Sequence, residues 1–134
     1  MPVGYIGLGT IGRTIAQHLI EEGEELLVWN RTISKAEGLG AAIGASPADV
    51  VAQCDVVILN LRDSDAVKAV LHSENGLLSA DLSGKTIIDT TTNEYQAVQS
   101  FHEIVTAAGA NYIEAPVLGS IIPAASGSLA IYVS

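Results

Sequence analysis

Residues 3–12 read Val-Gly-Tyr-Ile-Gly-Leu-Gly-Thr-Ile-Gly and contain the main evidence for the architecture of the chain. Its first four residues form a short apolar run typical of a buried β-strand, and the remaining six read G-x-G-x-x-G. From Ile11 onward, apolar residues recur with the helical spacing of 3.6 until Gly23, which ends the pattern. A strand, a glycine loop and an amphipathic helix in this order are the context that the motif requires, so the segment predicts a phosphate-binding turn.

Each glycine of this loop has a separate expected role. Gly7 permits the tight turn, Gly9 lets the backbone approach a pyrophosphate, and Gly12 lets the helix pack against the strand. The helix N-terminus adds unpaired N–H groups and partial positive charge. A glycine-rich turn without a ligand is the alternative. The residues expected to bind phosphate are Gly7, Leu8, Gly9, Thr10, Ile11 and Gly12.

The rest of the chain alternates strand and helix patterns. A helix is expected from Pro47, where Ser46 can cap it, and another around Val98 to Ala108. Strand-forming runs occur at Val3–Ile6, Leu26–Trp29, Val56–Leu59, Thr86–Ile88, Tyr112–Ile113 and Leu129–Val133, with a weaker one at Ala42–Ile43. Runs that are apolar at consecutive positions suit strands covered on both faces. We therefore expect a single α/β domain over residues 1–134, with one doubly wound, mostly parallel sheet, the Rossmann fold.

Composition excludes several classes of function. The formal net charge of −9 disfavours nucleic acid as a partner. No apolar run approaches the roughly 20 residues needed to cross a bilayer, and the sequence predicts a soluble, cytoplasmic protein. The single cysteine, Cys54, and the three histidines lack ligand spacing, so no metal site is expected.

The end of the second strand bears on the choice of cofactor. NAD-binding versions of this fold carry an acid about 20 residues after the glycine loop, where it binds the ribose 2′-hydroxyl. Here Asn30 holds that place, and Arg31 and Thr32 follow. A guanidinium in place of a carboxylate favours the 2′-phosphate of NADP, with NAD as the weaker alternative. The other interpretation is a solvated Arg31, with Thr32 capping the next helix.

Two further strand ends are expected at the same edge of the sheet, where ligands bind in such folds. Leu61 and Arg62 follow the run Val56–Leu59, and Thr92 follows the run Thr86–Ile88. Leu61 could cover the nicotinamide face, and Thr92 could donate a hydrogen bond near it. Either segment could equally be only a helix-capping loop.

Together these motifs resemble the β-hydroxyacid dehydrogenase family, which includes 3-hydroxyisobutyrate dehydrogenase, 6-phosphogluconate dehydrogenase and the imine reductases. The resemblance rests on the glycine loop, residues 29–32, Leu61, the threonines before Asn93, and residues 114–117. It implies hydride transfer between NAD(P) and a small hydroxyacid or its oxo form. Residues 115–129 are most similar to the glyoxylate/succinic semialdehyde reductase branch.

The sequence departs from the family in its substrate loop. The family usually places Ser after Ala-Pro-Val, whereas this chain has Leu118, followed by Gly119 and Ser120. Leu118 has no side-chain hydrogen-bond donor, so a substrate must rely on backbone N–H groups and on Ser120. The resemblance therefore leaves the identity of the small-molecule substrate open.

A second departure concerns catalysis. The family's proton donor is a lysine on a long helix that follows this domain, and the chain has no lysine after Lys85. We therefore expect the chain to be the cofactor-binding half of the enzyme, without its helical domain and catalytically inactive alone. Apolar residues around Leu118, Ile121 and Ile122 predict self-association. The alternatives are a stand-alone nucleotide-binding or redox-sensing module, and a domain that binds another adenine ligand.

Overall fold

The computed structural model describes residues 2–118 and 130–131 of the chain. The main sheet of this part has six strands, four helices lie along the same stretch of chain, and two short 3₁₀ turns lie at Ile33–Ala36 and Leu77–Ser79. The strands are β1 Val3–Ile6, β2 Leu26–Trp29, β3 Ala42–Ile43, β4 Val56–Leu59, β5 Thr86–Asp89 and β6 Asn111–Glu114. The helices are α1 Thr10–Glu21, α2 Pro47–Gln53, α3 Ser64–His72 and α4 Tyr95–Ala107.

The six strands form one parallel sheet in the order β3-β2-β1-β4-β5-β6. In its centre, Tyr5 of β1 is in register with Val28 of β2 and Ile58 of β4. The chain builds outward from β1 in one direction through β3 and then in the other from β4 to β6. The strand order therefore reverses at β1 and β4, which confirms the predicted doubly wound fold.

Both faces of the sheet are covered, which explains the consecutive apolar residues of its strands. On β1, Tyr5 belongs to a buried cluster that packs with Ala16 of α1, whereas Ile6 belongs to a second cluster. That second cluster includes Val67 of α3 and Phe101 of α4. Burial of each large side chain of this kind contributes roughly 1.5–3 kcal/mol to stability. Two apolar layers thus hold the strand ends in fixed positions.

The last strand differs from the expectation. Residues Ala130–Ile131 form β8, which pairs antiparallel with β7, Val117–Leu118, in a separate two-stranded sheet. The prediction that Leu129–Val133 joins the main sheet was therefore wrong for its described residues. Only residues 119–129 separate β7 from β8, which is fewer than the dozen or more residues that a crossover between parallel neighbours needs, so these two strands pair antiparallel.

The connection between β2 and β3 also departs from the predicted strand and helix alternation. It contains only the 3₁₀ turn Ile33–Ala36, after which Gly38 and Gly40 adopt positive φ angles of 80° and 79°. Such a backbone favours glycine and cannot continue a helix. This short connection keeps the residues after β2 close to the edge of the sheet.

The start of α2 is as predicted. The Ser46 hydroxyl accepts a hydrogen bond from the Asp49 N–H at 3.1 Å, and Pro47 opens the helix. The start of α3 carries the same kind of cap, because the Asp63 carboxylate accepts from the Ala66 N–H at 2.9 Å. Within the described residues, every helix is too short or too polar to cross a membrane.

Candidate functional site

The glycine loop joins β1 to α1 by a backbone path that only glycine fits at two positions. Gly7 has a φ of 109°, and a side chain there would overlap the Asn60 carbonyl. A Cβ on Gly12 would overlap the Gly7 carbonyl and lie 2.9 Å from Asn60 Oδ1. Gly7 therefore makes the tight turn and Gly12 the close helix packing, as predicted from the sequence.

Gly9 is different, because nothing in the fold demands the absence of its side chain. A Cβ built on Gly9 meets no atom within 4 Å, and the residue is exposed. It lines a cleft at the N-terminus of α1, where the first N–H groups of the helix have no intrahelical partner. The exposed backbone at Gly9 and the unpaired N–H groups of α1 suit the pyrophosphate of a dinucleotide.

The cleft has a volume of about 980 Å³ and lies outside the carboxyl ends of the central strands. Volumes of this size hold ligands of drug or cofactor size. The glycine loop forms one wall, and the ends of β2, β4 and β5, the start of α2, and α3 with the segment that follows it, including Glu74, form the others. Among its lining residues are Gly7, Gly9, Thr10, Ile11, Gly12, Asn30, Arg31, Thr32, Lys35, Leu61, Arg62, Thr90, Thr91 and Thr92.

Eleven of the twelve residues expected at the cofactor site line this cleft, and Leu8 does not. The Leu8 side chain is 1% exposed and packs with Tyr5 and Ala16 in the core. Its N–H donates to Asn30 Oδ1 at 2.8 Å, so it is already engaged. As the residue between two glycines, Leu8 anchors the loop to the core, and its expected contact with the ligand stays a prediction.

Asn30 lies where the acid of NAD-binding domains was sought, and its amide is engaged at both ends. Its Oδ1 accepts from the Leu8 N–H, and its Nδ2 donates to the Thr32 carbonyl at 3.0 Å. The side chain therefore ties the glycine loop to the segment that follows β2. This arrangement fixes the backbone that carries Arg31 and Thr32, so Asn30 acts on the cleft mainly through its neighbours.

Cations are concentrated at the cleft of this acidic protein. Arg31, Lys35 and Arg62 line it, which is half of the six basic residues in the chain. Within the described residues, the side chains of Arg31 and Lys35 have no ion-pair partner, whereas Arg62 Nε lies 3.3 Å from Asp63 Oδ2. Two unmatched positive charges at the end of β2 favour an anionic ligand group there.

Lys35 also lines the cleft, although it was not among the residues expected there from the sequence. The 3₁₀ turn carries it back to the cleft beside Thr32. The Arg13 guanidinium holds this turn by donating to the carbonyls of Lys35 and Glu37. The signal that could have found Lys35 is its four-residue spacing from Arg31. The Thr32 side chain makes no capping hydrogen bond to the turn, contrary to the alternative interpretation.

The ends of β4 and β5 are joined by side-chain hydrogen bonds. Asn60 Nδ2 donates to Thr90 Oγ1 at 2.9 Å, and the Leu61 N–H donates to Thr91 Oγ1 at the same distance. Thr90 Oγ1 in turn donates to the Leu59 carbonyl at 2.6 Å. Asn60, Thr90 and Thr91 were not among the expected site residues, yet they set the position of Leu61 and Thr92.

The expected substrate residues are only partly described. The backbone of Leu118 belongs to β7, while Gly119 and Ser120 lie outside the described residues. The apolar residues Ile121 and Ile122, expected to promote self-association, also lie outside them. In the described part of the chain, no three His, Cys, Asp or Glu side chains are grouped in a way that could hold a metal ion.

A parallel sheet that reverses its strand order beside a glycine loop, with a cationic cleft at that point, defines a dinucleotide-binding domain. The chain matches, over residues 2–134, the family described as the NAD binding domain of 6-phosphogluconate dehydrogenase, and it belongs to that family. This result confirms the resemblance inferred from the motifs.

Individual relatives agree with this assignment. The chain is 37% identical to glyoxylate/succinic semialdehyde reductase 1 of Arabidopsis thaliana, over 98% of this chain and 46% of that protein. It is 34% identical to the cytokine-like nuclear factor N-PAC of Mus musculus, over 88% of this chain and 21% of that protein. A solved structure of Psf3 in complex with NADP+ and 2-OPP superimposes with a TM-score of 0.91 at 29% identity, over 98% of this chain and 48% of that one.

The chain thus spans about half the length, or less, of the relatives that it matches.

Proposed function

We propose that this domain binds NADP(H) in preference to NAD(H) and forms the cofactor-binding part of a reductase. The observation that carries the proposal is the end of β2, where Arg31 and Lys35 line the cleft without ion-pair partners among the described residues. A carboxylate in this place would repel a 2′-phosphate, whereas a guanidinium can donate two hydrogen bonds to it. The relative bound to NADP+ is consistent with this preference.

The remaining cleft residues would hold the other parts of the cofactor. The exposed backbone at Gly9 and the N-terminus of α1 would bind the pyrophosphate. Leu61 and Thr92 lie on the opposite side of the glycine loop from Arg31, at the strand ends where the nicotinamide belongs. When bound, the nicotinamide would supply the hydride for reduction of a carbonyl.

We propose a small hydroxyacid or its oxo form as the substrate of the whole enzyme. The printed name of the Arabidopsis relative, a glyoxylate/succinic semialdehyde reductase, supports this class. A carbonyl reductase also needs a proton donor at the developing alkoxide. Lys85 is not placed to be this donor, because its ammonium group donates to the Cys54 carbonyl at 2.7 Å, at the edge of the sheet opposite the cleft. We therefore propose that this chain alone does not turn over substrate.

A second candidate function is a nucleotide-binding or redox-sensing module without catalysis. The observation that favours it is the similarity to N-PAC, whose name describes a nuclear factor and not a reductase. Both candidates require the same cofactor cleft, so binding measurements do not separate them. They differ in whether the whole protein containing this domain reduces oxo acids with NADPH.

The binding proposal can be tested with the fluorescence of Trp29, the only tryptophan in the sequence. Trp29 ends β2 and lines the cleft, so a bound reduced nicotinamide cofactor should quench its emission. We expect NADPH to bind the unmodified chain more tightly than NADH. Loss of one charge-assisted contact in Arg31→Ala should weaken NADPH binding by about one to two orders of magnitude and leave NADH binding nearly unchanged.

Lys68→Ala is the matched control, because Lys68 is exposed on α3 and does not line the cleft. It removes the same unit of charge and should leave both affinities unchanged. Equal affinities for NADPH and NADH in the unmodified chain, or equal effects of the two substitutions, would contradict the proposal.

A further inference from the structure

Asp89, the last residue of β5, carries a carboxylate that does not line the cleft. Asp89 is fully buried, and a buried charge is costly unless it is well paired or hydrogen-bonded. It accepts three hydrogen bonds: from Tyr112 Oη at 2.7 Å, from Asn93 Nδ2 at 2.8 Å and from the Thr91 N–H at 3.0 Å. All three partners are donors, which is the arrangement that the acceptor oxygens of a buried carboxylate need.

These hydrogen bonds connect Asp89 to the turn Thr90–Thr92, which lines the cleft. One carboxylate oxygen fixes the Thr91 backbone, and Thr91 Oγ1 accepts from the Leu61 N–H. Through Asn93 the carboxylate also reaches the start of α3, because Asn93 Oδ1 accepts from Ser64 Oγ at 2.9 Å. A single buried group thus holds the β4 and β5 ends of the cleft together.

Tyr112 donates one of these hydrogen bonds from a ring that is packed in the core. It lies on β6, is 8% exposed, and packs edge-to-face against Phe101 with ring centroids 6.4 Å apart. Burial and the neighbouring Asp89 carboxylate raise the pKa of the Tyr112 hydroxyl, so it remains a donor over the whole neutral range. Tyr112 therefore links the turn to the core through Asp89.

The position of the turn indicates which part of a ligand it would meet. The cations at the end of β2 lie on one side of the glycine loop, and the turn Thr90–Thr92 lies at β5 on the other. A dinucleotide that crosses the loop with its phosphorylated ribose at β2 has its nicotinamide half at β4 and β5.

We propose that Asp89 is a positioning residue for the nicotinamide half of the cofactor, acting through the turn Thr90–Thr92. This inference rests on the proposed binding of NADP(H). Asp89 itself touches no ligand, because it is buried beneath the turn. Its effect should therefore appear only for ligands that extend beyond the pyrophosphate.

The test compares NADPH with 2′-phospho-ADP-ribose, which lacks the nicotinamide, in calorimetric titrations of the unmodified chain and Asp89→Asn. The new amide has one acceptor oxygen, so it cannot serve Thr91, Asn93 and Tyr112 together, and at least one hydrogen bond is lost. We expect NADPH to bind the unmodified chain more tightly than the analogue. In Asp89→Asn this advantage should shrink about tenfold, while the affinity for the analogue changes less than about twofold.

Two further variants separate positioning from general loss of structure. Val105→Ala removes buried methyl groups from α4, and should lower stability without changing the ratio of the two affinities. Tyr112→Phe keeps the carboxylate and the ring packing, and should reduce the NADPH advantage by a smaller factor than Asp89→Asn. If Asp89→Asn does not fold, Tyr112→Phe decides the question.

The inference is overturned if the substitution at Asp89, or at Tyr112 where that one decides, weakens both ligands equally or neither of them. It is also overturned if the unmodified chain binds the two ligands equally, because the turn then contributes nothing to the nicotinamide half. If the unmodified chain binds neither ligand, the proposed function itself fails.

Discussion

Gly9→Val separates ligand binding from folding within the glycine loop. The φ and ψ angles of Gly9, −65° and −177°, are those of extended backbone, which valine adopts readily. No atom lies within 4 Å of the added Cβ, so the side chain would project into the cleft. Gly9 is also the N-cap of α1, and replacing a glycine cap by an apolar residue costs about 1 kcal/mol or less of folding stability.

The loss of binding should be much larger than this loss of stability. A branched side chain at Gly9 occupies the space that a pyrophosphate needs to reach the backbone N–H groups. Two lost hydrogen bonds to a charged phosphate, at about 1.5–3 kcal/mol each, weaken binding by two orders of magnitude or more. Gly12→Ala, in contrast, should first of all lower the folding stability. Its methyl group lies 2.9 Å from Asn60 Oδ1 and overlaps the Gly7 carbonyl.

Urea unfolding followed by circular dichroism, together with calorimetric titration of NADPH, measures both quantities. We expect Gly9→Val to unfold near the midpoint of the unmodified chain and to show no detectable binding. Gly12→Ala should lose roughly 1–3 kcal/mol of unfolding free energy or more. The reasoning is refuted if Gly9→Val is unfolded in buffer, or if it is folded and binds NADPH normally.

Further outcomes follow from the same structure. Lys35→Ala should weaken NADPH binding less than Arg31→Ala and leave NADH binding unchanged in the same fluorescence titration, and a loss of NADH binding would place Lys35 at another part of the cofactor. The chain alone should show no NADPH oxidation above background with glyoxylate or succinic semialdehyde, so steady turnover would contradict the assignment of the proton donor to another segment. The chain should self-associate through the apolar residues around Leu118, Ile121 and Ile122, and light scattering that shows a strict monomer at high concentration would exclude this. Burial raises the pKa of both Tyr5 and Tyr112. Their contribution to the free energy of unfolding should be fully present below the ordinary tyrosine pKa of about 10. It should fall as the pH rises above this value, because only the unfolded chain then ionises these groups. Ultraviolet titration should accordingly show both tyrosines ionising together with unfolding, and their ionisation in the folded protein would contradict the burial argument.

Sequence patterns were sufficient for the parts of the site that depend on local structure. The glycine spacing, the preceding strand and the following helix together specify the loop, and strand ends identify Arg31, Leu61 and Thr92. These signals work because the carboxyl ends of parallel strands share one edge, so a residue's place in its strand also gives its place in the cleft.

The residues that sequence reasoning missed or misplaced depend on contacts between distant segments. In the sequence, Asp89 is only a polar residue at the end of an apolar run. Its hydrogen-bond partner Tyr112 lies on the next strand of the sheet, 23 positions away. Lys35 reaches the cleft only because its segment forms a 3₁₀ turn held by Arg13. Leu8 lies inside the motif but points into the core. Each of these outcomes follows from packing, which periodicity alone does not encode.

If the cationic end of β2 selects NADP(H), calorimetric titration of the unmodified chain with NADPH and, separately, with NADH should show the preference. We expect both cofactors to bind in the same cleft and NADPH to bind about one to two orders of magnitude more tightly, corresponding to about 1.5–3 kcal/mol from the charge-assisted contacts. Equal affinities, or tighter binding of NADH, would contradict it.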